Sequence, residues 1–427
     1  MNFYKTSFLS GLYSVVNLIT GLIITKITAS IIGPIGTGFI GKFANISSLI
    51  LIVSTASIAT GIIKYVAQYK ENKTELKKVV NTSFGIILIG SIIASIFVFI
   101  SYRFLNARAF EEHNFESVFL LFGVFLLAIS SQVLFTGILN GLGEIKMLSY
   151  INISAAILNL IFTSYFVYKF HIAGALFSNS LYGIFITVSG LVAFKKLKLL
   201  NSDYFKPRID LPLAKQLIKY GLFAAITSSS WMCSMLIIRE FVENELSTTE
   251  SGLWQAMFSL SDRYMSVITT ILIVYFIPKL SAIEETNELV REMRKGFKRI
   301  VPLMIVISGT IWLCKDLIIT VLLAESFRPM RELFTFQMLG DVFRITAAIL
   351  GYLIASKAMF RSGLKADLSF HLVLIVSSYF MVKNFGLIGV SYAYAISTLF
   401  YLLINLFIFK DLIVLIKKSV IPKPWIK

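Results

Sequence analysis

Polar positions in this chain are bunched, and the apolar positions between them run on for long enough to matter. An α-helix rises 1.5 Å per residue, so about 20 apolar residues cross the roughly 30 Å hydrocarbon layer of a bilayer. By that measure the pattern predicts spans near 8–32, 39–69, 79–101, 117–140, 148–168, 173–194, 214–238, 253–277, 300–322, 333–356, 366–382 and 388–409, twelve in all. The connections are short. The longest, 195–213 and 278–299, are basic and compatible with helix, and nothing outside the spans is large enough to fold alone. The first stretch, Phe8 to Ile32, is of full span length and leads straight into another, so it is expected to be retained as a membrane helix rather than removed as a leader.

Composition sharpens this picture. With 57% hydrophobic and 15% charged residues and a mean hydropathy of +0.81, the chain is excluded from the water-soluble classes. The formal charge of +17 raises the question of a nucleic-acid partner, but basic residues of membrane proteins gather in cytoplasmic connections. Here 27 of the 40 Lys and Arg fall on the face that holds Lys5, the even-numbered connections and the C-terminal tail. Only 8 fall on the other face and 5 deeper within spans, charges near span ends being counted with the face they adjoin, whereas the acids divide 11, 10 and 2. Both termini are therefore expected in the cytoplasm, and no nucleic acid is implied.

The chain also repeats. Ser164-Tyr165-Phe166, Lys169, Gly174 and Phe194-Lys195 recur as Ser378-Tyr379-Phe380, Lys383, Gly389 and Phe409-Lys410, offset by 214 to 215 residues. Six spans per half with the same starting side predict a parallel repeat, one arrangement used for alternating access around a central site. The expected fold class is an all-α integral membrane protein with two six-helix lobes around a central cavity. The lobes are placed at 1–198 and 214–427, with a cytoplasmic linker at 199–213.

Ionisable groups inside a span are costly and mark function by default. Seven are taken as candidates: Lys26, Lys42, Lys64, Asp262, Arg263, Asp341 and Arg344. The three lysines lie toward span ends, where snorkelling to an interface is a plain alternative, most of all for Lys42 and Lys64. Asp262 and Arg263 lie near the middle of the eighth span, and Asp341 and Arg344 near the middle of the tenth. Asp341 and Arg344 are three apart, so they share a helix face and could form a purely structural pair. The net-cationic set favours a water-filled cavity for an anionic substrate group.

Other chemistries find no support. His113, His171 and His371 are scattered, Cys233 and Cys314 have neither metal nor disulfide spacing, and no cofactor is implied. Glu111-Glu112 and Glu284-Glu285 read as solvated charges in connections, and no phosphate-cradling Gly-rich loop of the P-loop type is present. Gly33-Pro34-Ile35-Gly36-Thr37-Gly38 reads as a tight turn, and Ser228-Ser229-Ser230 as a hinge or a packing contact.

Several blocks together resemble a known family. These are Lys64-Tyr65-Val66-Ala67-Gln68-Tyr69, Gly252-Leu253-Trp254-Gln255 with Ser261-Asp262, Pro278-Lys279-Leu280-Ser281, Gly340-Asp341-Val342 and Gly351-Tyr352-Leu353. In order and spacing they are similar to the Wzx-type O-antigen and enterobacterial-common-antigen lipid flippases, the polysaccharide-transporter branch of the multidrug/oligosaccharidyl-lipid/polysaccharide exporter (MOP) superfamily. The resemblance spans nearly the whole chain. It implies a MATE-like pair of lobes around a V-shaped cavity, and passage of undecaprenyl-diphosphate-linked oligosaccharide units from the cytoplasmic to the periplasmic leaflet of the inner membrane. By the same motifs Lys26 and Lys64 fall where relatives tend to be basic, Asp262 and Asp341 where they tend to be acidic, and Arg344 where a cation is usual. Arg263 and Lys42 match no family position.

The expected machinery is then Lys26, Arg263, Arg344 and Lys64 for the substrate diphosphate, with Asp262 and Asp341 for ion coupling or charge pairing. Partners are the lipid-linked oligosaccharide, membrane lipids and other polysaccharide-assembly proteins. The competing readings are a cation-coupled multidrug exporter, which would favour an acidic and aromatic cavity, and a membrane-embedded polymerase or ligase, which would need a larger external loop.

Overall fold

The computed structural model describes residues 3–110, 113–197, 202–410, 412 and 414. Glu111, Glu112, residue 198 and residues 199–201 of the expected linker lie outside the described residues, as does nearly all of the C-terminal tail. Every regular element among the described residues is helical. They are α1 (Phe3–Thr55), α2 (Ala59–Tyr69), α3 (Lys73–Phe110), α4 (Glu116–Leu142), α5 (Ile145–Lys196), α6 (Leu211–Glu245), α7 (Thr248–Ala282), α8 (Thr286–Leu313), α9 (Lys315–Leu322), α10 (Phe334–Ser356), α11 (Phe360–Phe385) and α12 (Ile388–Ile408). Two 3₁₀ segments, Ser202–Phe205 and Glu325–Leu333, precede α6 and α10. Helix is what hydrocarbon demands, because each backbone N–H finds its carbonyl within the segment.

Among the described residues, ten stretches are long and apolar enough to cross a membrane. Two of them, Tyr13–Tyr69 with 57 residues and Ile145–Lys196 with 52, would each run to roughly 80 Å if straight, more than twice the hydrocarbon thickness. Each is interrupted, at Gly33 (φ 64°, ψ −168°) and at His171 (φ 49°, ψ −123°). The ten stretches therefore make twelve passes. The turn expected over 33–38 is concentrated at Gly33, and Pro34 already opens the next helix, where its missing N–H costs nothing. The second pass is itself broken between α1 and α2, where Ala56 and Ser57 take φ values of 47° and 50°. α6, by contrast, runs through Ser228–Ser230 without interruption.

The internal repeat is written into the backbone. His171 and Gly386, 215 positions apart, both take positive φ at the turn between paired helices. Three residues after each stands a glycine. A Cβ on Gly174 would collide with the Phe166 carbonyl oxygen, and one on Gly389 with that of Met381. No side chain fits such an approach. Just before the turns, Lys169 lies over the Tyr165 ring at 5.8 Å and Lys383 over Tyr379 at 5.9 Å, here offset by 214. The extra residue of the second copy thus falls between its lysine and its turn.

The chain forms two compact units, Met1–Leu236 and Ile237–Lys427, with the division inside α6. In the first unit Ile62 and Val66 of α2 pack with Leu134 and Ile138 of α4, and Phe39 and Phe43 with Phe110, Phe119 and Phe122. In the second, Phe276 and Leu280 of α7, Met293 of α8 and Ile345, Ile349 and Leu353 of α10 form the core. Outward-facing Ile100, Phe104 and Phe407 are 67 to 80% exposed, a surface that lipid accepts and water would not.

Candidate functional site

In the second unit, α7, α10 and α12 bring six polar side chains to one place near mid-span. Asp341 of α10 is fully buried. Ser261 Oγ donates to its Oδ2 at 2.6 Å, the Tyr264 hydroxyl donates to the same oxygen, and the Tyr394 hydroxyl of α12 donates to Oδ1 at 2.8 Å. Three hydroxyls that donate to one carboxyl group make a cage that would hold an ionised carboxylate through charge-assisted bonds. Gly340 makes the cage possible. A Cβ there would stand 2.5 Å from the Tyr394 ring, so only a glycine beside Asp341 lets that ring lie against α10.

Arg344, one turn further along α10, interacts electrostatically with Asp341, but its guanidinium is not turned to that carboxylate alone. Its Nη2 reaches across to Asp262 Oδ1 of α7 at 3.7 Å, and the guanidinium also bonds the Tyr394 hydroxyl. Helix register explains the difference: Asp341 turns into the α7/α12 seam, while Arg344 lies on the more open side. The result is a chain of polar contacts running Asp262, Arg344, Tyr394, Asp341. Its two ends differ in access, since the Asp262 side chain is 53% exposed and Asp341 not at all. Arg263 points another way, half-buried, and its Nε makes no hydrogen bond among the described residues.

The remaining intramembrane cations belong to the first unit. Lys64, in the middle of α2, is exposed; its Nζ donates to the Tyr220 hydroxyl of α6 and lies 4.1 Å from that ring's centroid and 5.2 Å from Tyr65's. Such cation–π contact holds an ammonium without neutralising it. Lys26 is half-buried on α1, and Lys42 is only 6% exposed, set inside the unit rather than reaching to an interface.

One further buried charge had no sequence signal, because it lies just past the expected end of the seventh span. Arg239 of α6 is 2% exposed. Its Nη1 donates to Ser251 Oγ at 3.4 Å, its Nη2 to Gln255 Oε1, and its guanidinium lies 5.3 Å from the Trp254 ring. Ser251 in turn donates to Glu243 at 3.1 Å. The Trp254-Gln255 block therefore holds the hairpin of α6 and α7 closed around a buried cation. Tyr264 and Tyr394 were equally silent, as tyrosines are ordinary in spans.

A family model described as polysaccharide biosynthesis protein matches residues 4–284. The chain belongs to this family. The matched region covers the first unit from residue 4 onward, α7 and with it Ser261 and Asp262. Among curated proteins, the lipid III flippases of Escherichia coli (strain K12) and of Shigella flexneri are each 28% identical over 403 residues, covering 94% of this chain and 96% of theirs. Among solved structures, an inward-facing multidrug-resistance MATE transporter of the MOP superfamily superposes with a TM-score of 0.75 at 13% identity, over 95% of this chain and 99% of that one. The lipid II flippase MurJ in an inward closed conformation gives 0.71 at 15% identity, over 97% and 90%. The fold is thus the all-α membrane fold of these transporters.

Proposed function

We propose that this protein is a flippase that moves undecaprenyl-diphosphate-linked oligosaccharide units across the inner membrane by alternating access, for surface polysaccharide assembly. The observation that carries the reading is the nearly full-length similarity to lipid III flippases in a member of the polysaccharide biosynthesis family. It is supported by the mid-span charges. An Asp262 more than half exposed at mid-span is tolerable only beside water, since hydrocarbon would make it too costly, and a wet cavity is what a polar oligosaccharide needs.

In this reading Arg344, Arg263, Lys26 and Lys64 attract the diphosphate, while Asp262 keeps the Arg344 guanidinium extended toward the cavity. Arg344 exchanges Asp262 for phosphate when substrate arrives, because its planar fork suits both. Asp341 is the candidate ion-coupling group, linked to the phosphate-binding arginine through Tyr394. With both termini in the cytoplasm, about two negative charges moving outward gain roughly 4 to 5 kcal/mol from 100 mV of inside-negative potential, so no ATP is required. Assembly proteins of the same pathway are the expected partners.

The test is complementation of a strain lacking its own lipid-linked oligosaccharide flippase, with surface polysaccharide and the stalled lipid-linked unit both measured. Restored export by the wild type, and its loss in an Arg344→Ala protein that still accumulates in the membrane, is the expected result. Drug export without polysaccharide export would instead favour the multidrug reading.

A further inference from the structure

Away from the mid-span charges, the first unit carries a second basic site where the segment entering α6 lies along the start of α3. Residues 206–210 are tied to α3 at two points: Asn81 Oδ1 accepts the Lys206 N–H and Thr82 Oγ1 accepts the Asp210 N–H, each at 3.2 Å. Asp210 then accepts the Leu213 N–H at 2.9 Å, which starts α6, and pairs with Lys78 at 3.0 Å. Between segment and helix is left a cleft of about 380 Å³ walled by Thr74, Lys77, Lys78, Arg208, Ile209 and Asp210 over Asn81. Its wall carries three cations and one anion. Asp210 is committed to Lys78, so the cleft keeps a net charge of two positives contributed from two separate chain segments held in fixed register.

Three helical turns further along α3, at Ile89, begins the row of outward apolar side chains that includes Ile92, Ile93, Ile96 and Ile100. The expected third span begins at residue 79, directly after Lys77 and Lys78, so the cleft stands at the headgroup end of that span, with lipid-facing helix further along it. We propose that it binds the phosphate of an anionic phospholipid headgroup, Arg208 and Lys77 contacting the phosphate and Ile209 the glycerol end of the lipid. A basic residue near an anionic membrane surface contributes about fivefold to binding, so loss of two weakens it roughly 25-fold. Because the segment leads directly into α6, a bound lipid holds that entry down on α3.

The test uses the full-length protein in mixed micelles, titrated with phosphatidylglycerol against a phosphatidylcholine control and followed by native mass spectrometry. The Lys77→Gln/Arg208→Gln variant, which leaves the Lys78–Asp210 pair intact, is expected to lose about 25-fold in phosphatidylglycerol retention. A Lys298→Gln/Arg299→Gln variant, with the same charge removed from α8, is expected to lose less than twofold. If the double variant fails to fold, Arg208→Gln alone, at an exposed position, reads out about fivefold. Equal losses in the two double variants would reduce the effect to general surface charge and overturn the site. Displacement of the lipid by millimolar inorganic phosphate would overturn the lipid assignment.

Discussion

Adding one methyl group at Gly340 tests whether the Asp341 cage is built as described. The new Cβ of Gly340→Ala would stand 2.5 Å from the Tyr394 ring, where carbon atoms ordinarily pack at about 3.5 to 4 Å. The ring must therefore retreat by about 1 Å, and its hydroxyl with it, stretching the 2.8 Å bond to Asp341 to roughly 3.8 Å, beyond hydrogen-bond reach. Overpacking of this kind costs about 1 to 3 kcal/mol. A hydrogen bond to a charged group adds about 1.5 to 3, and the two overlap, so about 2 to 4 kcal/mol is expected in all. The assay is reversible unfolding in mixed micelles of wild type, Gly340→Ala, Tyr394→Phe and the double variant. In the Tyr394→Phe background the added methyl group no longer breaks a bond, so its cost should fall by more than about 1 kcal/mol, and export in the complemented strain should fall with each single change. Additive effects, or a Gly340→Ala protein as stable as wild type, would refute the geometry.

Four other outcomes follow from the same structure. Asp341→Asn sets an amide N–H₂ against hydroxyl donors and should destabilise by about 2 kcal/mol in the same unfolding assay, whereas Asp262→Asn, at an exposed carboxylate, should cost under about 1 kcal/mol while still impairing export. His171→Gly should raise stability by about 1 kcal/mol, since its counterpart Gly386 already occupies the same strained turn; a loss would show that the imidazole makes a contact worth more than the strain. Arg239→Met should cost about 3 kcal/mol or more by leaving Glu243, Ser251 and Gln255 without their buried cation, and a neutral result would remove the hairpin staple. The Asp210 carboxyl is held below its ordinary value of 3.8 by the Leu213 N–H and then by Lys78, so its hold on the start of α6 is full above that pH and is lost as pH falls through the depressed value. Hydrogen exchange at Leu213, corrected for intrinsic rate, should accelerate only below pH 3.8 in the wild type and at neutral pH in Asp210→Asn.

The spans were legible because length and hydrophobicity alone decide them in a bilayer, and the repeat because its glycines answer a backbone contact that tolerates nothing else. Asp341 and Arg344 were legible because a mid-span charge is too costly to be incidental. Their partners were not. Spacing along one helix left a pair between the two open, and only the register of α10 against α7 and α12 shows that Arg344 reaches Asp262 and that Asp341 is held by three hydroxyls. Tyr264 and Tyr394 carry no signal of their own, and Ser261 stood out only within the Ser261-Asp262 block, since a hydroxyl in a span usually bonds its own helix backbone, as Thr398 does. Lys42 shows the converse: position near a span end suggested an interface, and tertiary packing buries it. The break at Ala56 and Ser57 is likewise marked by no glycine or proline.

The most direct measurement is transport by the purified protein. Proteoliposomes carrying a fluorescent undecaprenyl-diphosphate oligosaccharide in one leaflet would be followed by quenching from the other side, with and without an imposed potential, for wild type and for an Arg344→Ala protein matched in amount. Transfer by the wild type, faster when the potential pulls the diphosphate across and abolished without Arg344, is the predicted result. Transfer no faster than in protein-free liposomes, from folded wild-type protein offered its native repeat unit, would contradict the account at its centre.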